Sequence, residues 1–132
     1  MWEDASNKIS YSIRRKYILG KELDGVMNYV YKNAIIDFVK NKDAERFIKV
    51  VTDIAENYPL PFLLSSMVML SIHDTDRILT CLGVNAECEL SKDEKAYYKL
   101  GESELKEAKK RLSVAVFLLF SGHRLVRWCH IR

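Results

Sequence analysis

The chain is expected to fold as an α/β protein, rich in helix and built on short parallel strands. The run Met67-Val68-Met69-Leu70-Ser71-Ile72 is short, rich in β-branched and long apolar residues, and followed at once by polar ones, as in a strand covered on both faces. A second short apolar run, Gly25 to Tyr29, precedes it, and helical patterns fill the interval between them. Strand and helix patterns alternate without a repeat, a low-complexity stretch or a Pro/Gly/Ser linker, which fits consecutive strand–helix units.

Each element follows from its own residues. After the strand at 25 to 29, Asn33 to Asn41 is a helix with Ile35, Ile36, Phe38 and Val39 near one face. Asp43 is a natural N-cap for the next helix. In that helix Phe47, Val50 or Val51, Ile54 and Tyr58 recur at helical spacing until Pro59 and Pro61 stop it. The strand at 67 to 72 follows, then a helix from Asp76 to Leu82 and a polar loop from Gly83 to Leu100. The last helix carries the strongest pattern: Leu105, Ala108, Leu112, Ala115, Val116 and Leu119 form an apolar stripe opposite Lys106, Lys109, Lys110 and Arg111.

Composition bounds the function classes. The 132 residues are 48% apolar and 11% aromatic, enough for one domain's core. Twenty-one basic and 18 acidic residues leave a net charge of only +3, with the signs interleaved over most of the length, a solvated surface and not a nucleic-acid stripe. Cys81, Cys88 and Cys129 are odd in number and lack C-x-x-C spacing, so neither a disulfide framework nor a zinc site is expected, and a reducing cytoplasm fits best. Met1-Trp2-Glu3-Asp4 has no apolar core of a signal peptide, and Val114 to Phe120 is far short of a membrane span. No cofactor, nucleic-acid partner or membrane partner is expected.

The most informative segment is Ile72-His73-Asp74-Thr75-Asp76-Arg77, where an imidazole and a carboxylate stand side by side as the apolar run stops. In α/β folds the turn after a strand's carboxyl end is where ligand and catalytic groups gather. The bland alternative is that Asp74 caps the next helix and His73 is a polar neighbour.

A set of phrases distributed along residues 1 to 120 extends that observation. They are Trp2-Glu3-Asp4-Ala5-Ser6, Arg14-Arg15-Lys16-Tyr17, Leu23-Asp24-Gly25-Val26-Met27-Asn28-Tyr29, Asn33-Ala34-Ile35-Ile36-Asp37-Phe38, Glu56-Asn57-Tyr58-Pro59 and His73-Asp74-Thr75-Asp76-Arg77-Ile78-Leu79. In order and spacing they resemble the catalytic barrel of the α-amylase family of glycoside hydrolases, nearest to its neopullulanase, cyclomaltodextrinase and maltogenic amylase branch. The resemblance implies a partial (β/α)8 barrel, roughly its second half, over residues 1 to 120. A complete barrel takes about 250 residues. Residues 121 to 132 are an unmatched basic tail.

The same resemblance implies retaining hydrolysis or transfer at α-glucosidic bonds of an α-glucan or maltooligosaccharide. Asp74 matches the family's Asp at the end of the seventh strand, which holds substrate hydroxyls, and His73 contacts the same sugar. Such a carboxylate gains most when oxocarbenium character strengthens its hydrogen bonds to the ring. Trp2 resembles an aromatic that stacks on an acceptor-side sugar, with a frayed terminal residue as the alternative. Arg77 is assigned to a carboxylate partner or to an exposed first turn. Asn28 and Tyr29 are assigned to sugar contact or to strand termination and packing. The family's general acid falls two positions before the matching Trp, ahead of Met1, so Glu3 is not that acid, and the nucleophile strand has no counterpart. The 132 residues are therefore expected to be inactive alone.

The tail departs from the family inside a helix, and Ser121 to Arg132 is read as a disordered cationic end produced by a change of reading frame. His123 and His130 lack partners at ligand spacing. Unpaired strand edges of an open half barrel imply self-association. The rival to a glycosidase segment is a non-enzymatic interaction module, in which the basic amphipathic helix Leu105 to Phe120 and the cationic tail bind an acidic partner.

Overall fold

Helices pack around Ile35 and Leu82, the two largest side chains wholly removed from solvent. The computed structural model describes residues 2–3, 25–72, 75–84, 94 and 97–131, without the side chains of 2, 3, 26 and 123–131. Among these, β1 (Trp2–Glu3) and β2 (Val26–Met27) pair in parallel, Trp2 opposite Val26 and Glu3 opposite Met27. A single parallel bridge joins Met27 to Met67, and the Asn28 amide donates to the Met67 carbonyl at 3.0 Å. The apolar stretches at 25 to 29 and 67 to 72 are thus parallel neighbours. Their extended pairing is shorter than the sequence suggests, two residues in the first and one bridge in the second.

Tyr29, expected in the strand, instead opens α1 (Tyr29–Asn41). The helix starts four residues before the expected Asn33 because Asn28 caps it, its side-chain oxygen accepting from the Tyr31 amide at 2.9 Å. It ends at Lys42, which takes the left-handed conformation at φ 59 and ψ 23 and donates its amide to Phe38. Asp43 follows immediately as the N-cap of α2 (Ala44–Asn57), accepting from the Arg46 amide at 3.0 Å. The turn is tight, and Asp37 spans it, bonded to Arg46 Nε at 3.1 Å and to Asn41 at 2.6 Å. Phe47, Val51 and Ile54 form the buried stripe of α2, as their spacing predicts.

Pro59 and Pro61 do end α2, but they also begin α3 (Leu60–Ser65), a helix that reading both prolines as a stop had missed. Pro59 occupies the cap and Pro61 the first turn, where a missing amide proton costs no helical bond. Gly25 lies against this helix end, and a Cβ there would approach the Ser65 carbonyl carbon to 2.9 Å. Side-chain-free backbone lets β2 pass that close.

The short α4 (Ile78–Gly83) starts two residues later than expected, with Arg77 at the cap position and no side-chain cap bond. It lies on α5 (Glu102–Ile131), thirty residues long. Glu104 sets the start of α5 by accepting the Gly101 amide at 2.8 Å, the backward half of a capping box. Ala108 and Ala115 are fully buried at the crossing, and Gly83 packs on Leu100 and Ala108. Two expectations for α5 change. Arg111 is not on the solvated face, since its guanidinium donates to the Leu82 carbonyl at 2.7 Å and pairs with Glu107 at 3.3 Å. Val116 is exposed, not part of the buried stripe.

The tail is also corrected. Residues 121 to 131 continue α5 without a break, where irregular backbone was expected. Gly122 is buried, and a Cβ on it would lie 2.6 Å from the Tyr31 hydroxyl oxygen. That hydroxyl donates to the Leu118 carbonyl at 2.8 Å. Helices α1 and α5 are therefore joined through Tyr31, and a propagating helix costs little once its first turns are packed. No helix among the described residues is long and apolar enough to cross a membrane.

Candidate functional site

The parallel pairings of β1, β2 and Met67 send the chain out of each segment at the same end. Asn28 and Tyr29 follow β2 there, and the loop leading to Arg77 follows Met67. Trp2 lies in β1, opposite Val26, so its backbone belongs to the same small sheet; its side chain lies outside the described residues.

His73 and Asp74 lie outside the described residues. The residues on either side of them are bonded to one another. Thr75 donates its amide to the Ile72 carbonyl at 3.2 Å, and the Thr75 hydroxyl exchanges bonds with Ile72, accepting its amide at 3.1 Å and facing its carbonyl at 3.2 Å. Ser71 reaches across to the Asp76 carbonyl at 3.4 Å. The threonine hydroxyl thus engages both backbone groups of Ile72. The cap position of α4 falls on Arg77, not on Asp74.

Asn28 has one side-chain oxygen committed to the Tyr31 amide and its backbone amide committed to Met67. Its amide nitrogen remains the group it can offer to a ligand. Tyr29 is half-buried and carries the Lys32 ammonium 5.5 Å from its ring centroid. Lys32 is 7% exposed, a charged residue of the first turn of α1 that the sequence reading did not single out. Its spacing of three from Tyr29 was the available signal, because residues three apart on a helix are neighbours. Arg77 is exposed at the start of α4.

Near Asn28 lies a cavity of about 20 Å³, lined by Tyr31, Val51, Ile54, Leu63, Val68 and Gly122. It has room for about one water and none for a sugar ring. Tyr31 was the other omission: burial pushes its phenol from the ordinary value of 10 up to about 12.

The arrangement gathers hydrogen-bonding groups at the carboxyl end of parallel strands, with an aromatic ring beside them. Such an end offers Asn28 and Tyr29 as polar and aromatic groups.

Among known proteins, the chain is 37% identical over 97 residues to an amylopullulanase of Thermoanaerobacter thermohydrosulfuricus, covering 64% of this chain and 6% of that protein. It is 36% identical over 103 residues to an amylopullulanase of Thermoanaerobacterium thermosulfurigenes, covering 69% of this chain and 6% of that protein. Neopullulanase 2 of Thermoactinomyces vulgaris is 32% identical over 87 residues, 64% of this chain and 13% of that protein. The chain thus spans only a small part of the length of the relatives it matches. No family model matches the chain. No solved structure matches it either.

Proposed function

Over about two thirds of its length this chain is a relative of the α-amylase family of glycoside hydrolases, and from that premise we propose that it is a segment of a retaining hydrolase of α-glucosidic bonds. The carrying observation is its identity to amylopullulanases and to a neopullulanase. Those names point to pullulan and related α-glucans or maltooligosaccharides as the substrate class of the whole enzyme. The segment is the second half of a (β/α)8 barrel, a reading supported by the parallel register of Trp2 with Val26 and of Met27 with Met67.

In this reading Asp74 is the carboxylate that stabilises the oxocarbenium-like transition state, and His73 donates to the same ring. Asn28 offers its amide nitrogen, Tyr29 and Trp2 offer aromatic faces, and Arg77 orients a carboxylate. The 132 residues hold no counterpart of the nucleophile or the general acid, so they have no glycosidase activity alone.

The test is reconstruction. Joining this segment to the upstream strands of a family barrel and to an eighth strand is expected to give activity on α-glucans. Asp74→Asn in that enzyme is expected to lower kcat by about 10²-fold or more, the scale of one preorganised transition-state contact. A rebuilt enzyme indifferent to the substitution removes the role given to Asp74.

A further inference from the structure

Helix α5 presents a bare apolar ridge to solvent. Phe117 is 69% exposed and Phe120 77%, with Val114 and Val116 exposed beside them. Steps of three place Val114, Phe117 and Phe120 along one side of the helix, and Lys110 and Lys106 extend that side at steps of four from Val114. Lys106, Lys109 and Lys110 are all exposed, and Glu107, also exposed, lies 3.9 Å from the Lys110 ammonium. From Ala108 to Arg132 the sequence has no Asp or Glu, while it has Lys109, Lys110, Arg124, Arg127 and Arg132 besides Arg111, which is held by the Leu82 carbonyl and Glu107. The interleaving of signs that holds over most of the chain stops here.

We propose that this face of α5 docks on an anionic lipid surface, the two phenylalanines entering the headgroup boundary and the lysines meeting the lipid charge. The expectation of no membrane partner rests on the want of a spanning run, and surface docking needs none. A second copy of the chain is a poorer occupant. An antiparallel pairing about Phe117 sets position 110 opposite position 124, cation against cation, and a parallel one sets Lys110 against itself. An acidic helix is also poorer, because helix recognition uses a groove and these side chains are largely exposed, Phe117 at 69% and Phe120 at 77%. Nucleic acid would stack on the rings, but it gains little from Val114 and Val116, which hydrocarbon buries favourably. This assignment is independent of the hydrolase reading.

The test is co-sedimentation of the full chain with vesicles of phosphatidylcholine alone and with about one third phosphatidylserine, with protein alone as the control for self-association. Binding is expected to the phosphatidylserine vesicles, weakened by salt and at least about tenfold tighter than to neutral ones. Phe117→Ser with Phe120→Ser is expected to cut partitioning by about tenfold or more, with an unchanged circular dichroism spectrum because both residues are exposed. Lys109→Glu with Lys110→Glu is expected to do the same through charge. Absence of binding to the anionic vesicles, equal binding to neutral ones, or binding indifferent to the two phenylalanines overturns the proposal. So does a chain that binds poly(U) or pairs with itself through Phe117 while ignoring vesicles.

Discussion

Tyr31 and Gly122 hold together residues far apart in sequence, and each makes a distinct demand. The Tyr31 hydroxyl is buried and donates to Leu118, so the fold favours the neutral phenol and raises its value from 10 to about 12. Stability from this group is fully present below pH 10 and is lost as pH rises through about 12. Tyr31→Phe is expected to lower stability by about 0.5–1.5 kcal/mol at neutral pH. It should also flatten the loss in the alkaline window, read from urea titrations at several pH values. An unchanged alkaline slope would show that another group titrates there. Gly122→Ala gains about 1 kcal/mol of helix propensity, but its Cβ would lie 2.6 Å from the Tyr31 oxygen and 2.7 Å from Cε1. Overpacking costs about 1–3 kcal/mol, so a net loss near 1 kcal/mol is expected, and a gain in urea midpoint would refute the contact. Neither residue was legible from spacing, because nothing local to position 31 or 122 reveals a partner so distant along the chain. His73 and Asp74 were legible as a chemically unusual pair and lie outside the described residues, between Ile72 and Thr75, which bond to each other.

At the level of elements, the turn between α1 and α2 rests on Lys42 and Asp43. Asp43 has the residue type and the bond of an N-cap, and Asp43→Ala is expected to cost about 1 kcal/mol. Lys42 has φ 59, a conformation that strains a side chain, so Lys42→Gly is expected to stabilise by about 0.5–1 kcal/mol. Thermal denaturation of both variants checks the pair, and a lower midpoint for Lys42→Gly would sink the account. The cap and the stripe of α2 were readable because both depend only on neighbours within a turn or two. The misjudged elements depend on more. Met67 to Ile72 has a strand's composition, yet among the described residues its one ladder contact is Met67 to Met27, and a strand is only as long as its partner. The prolines before α3 carry the same chemistry whether they end one helix or begin another. Helix α5 runs on past the resemblance because charged residues do not oppose a helix already anchored by Ala108, Ala115 and Gly122.

Across the whole molecule, the described sheet is one two-stranded pair with a single added bridge. Backbone groups on the outer side of β1 and beyond Met67 have no ladder partner among the described residues, and Ile48, Leu64 and Met67 expose apolar surface. Self-association through these edges is expected at micromolar concentration, seen as concentration-dependent sedimentation; a single monomeric species across that range would rule it out. A related consequence concerns the order in which the chain becomes native. The Tyr31 to Leu118 bond closes a separation of 87 residues, and α5 supplies the surface on which α1, α2 and α4 settle. During synthesis α1 and α2 leave the ribosome before that surface exists, so they must wait with Ile35 and Tyr31 uncovered. This stretch of nascent chain is therefore most vulnerable to chaperone capture and proteolysis until α5 has been made.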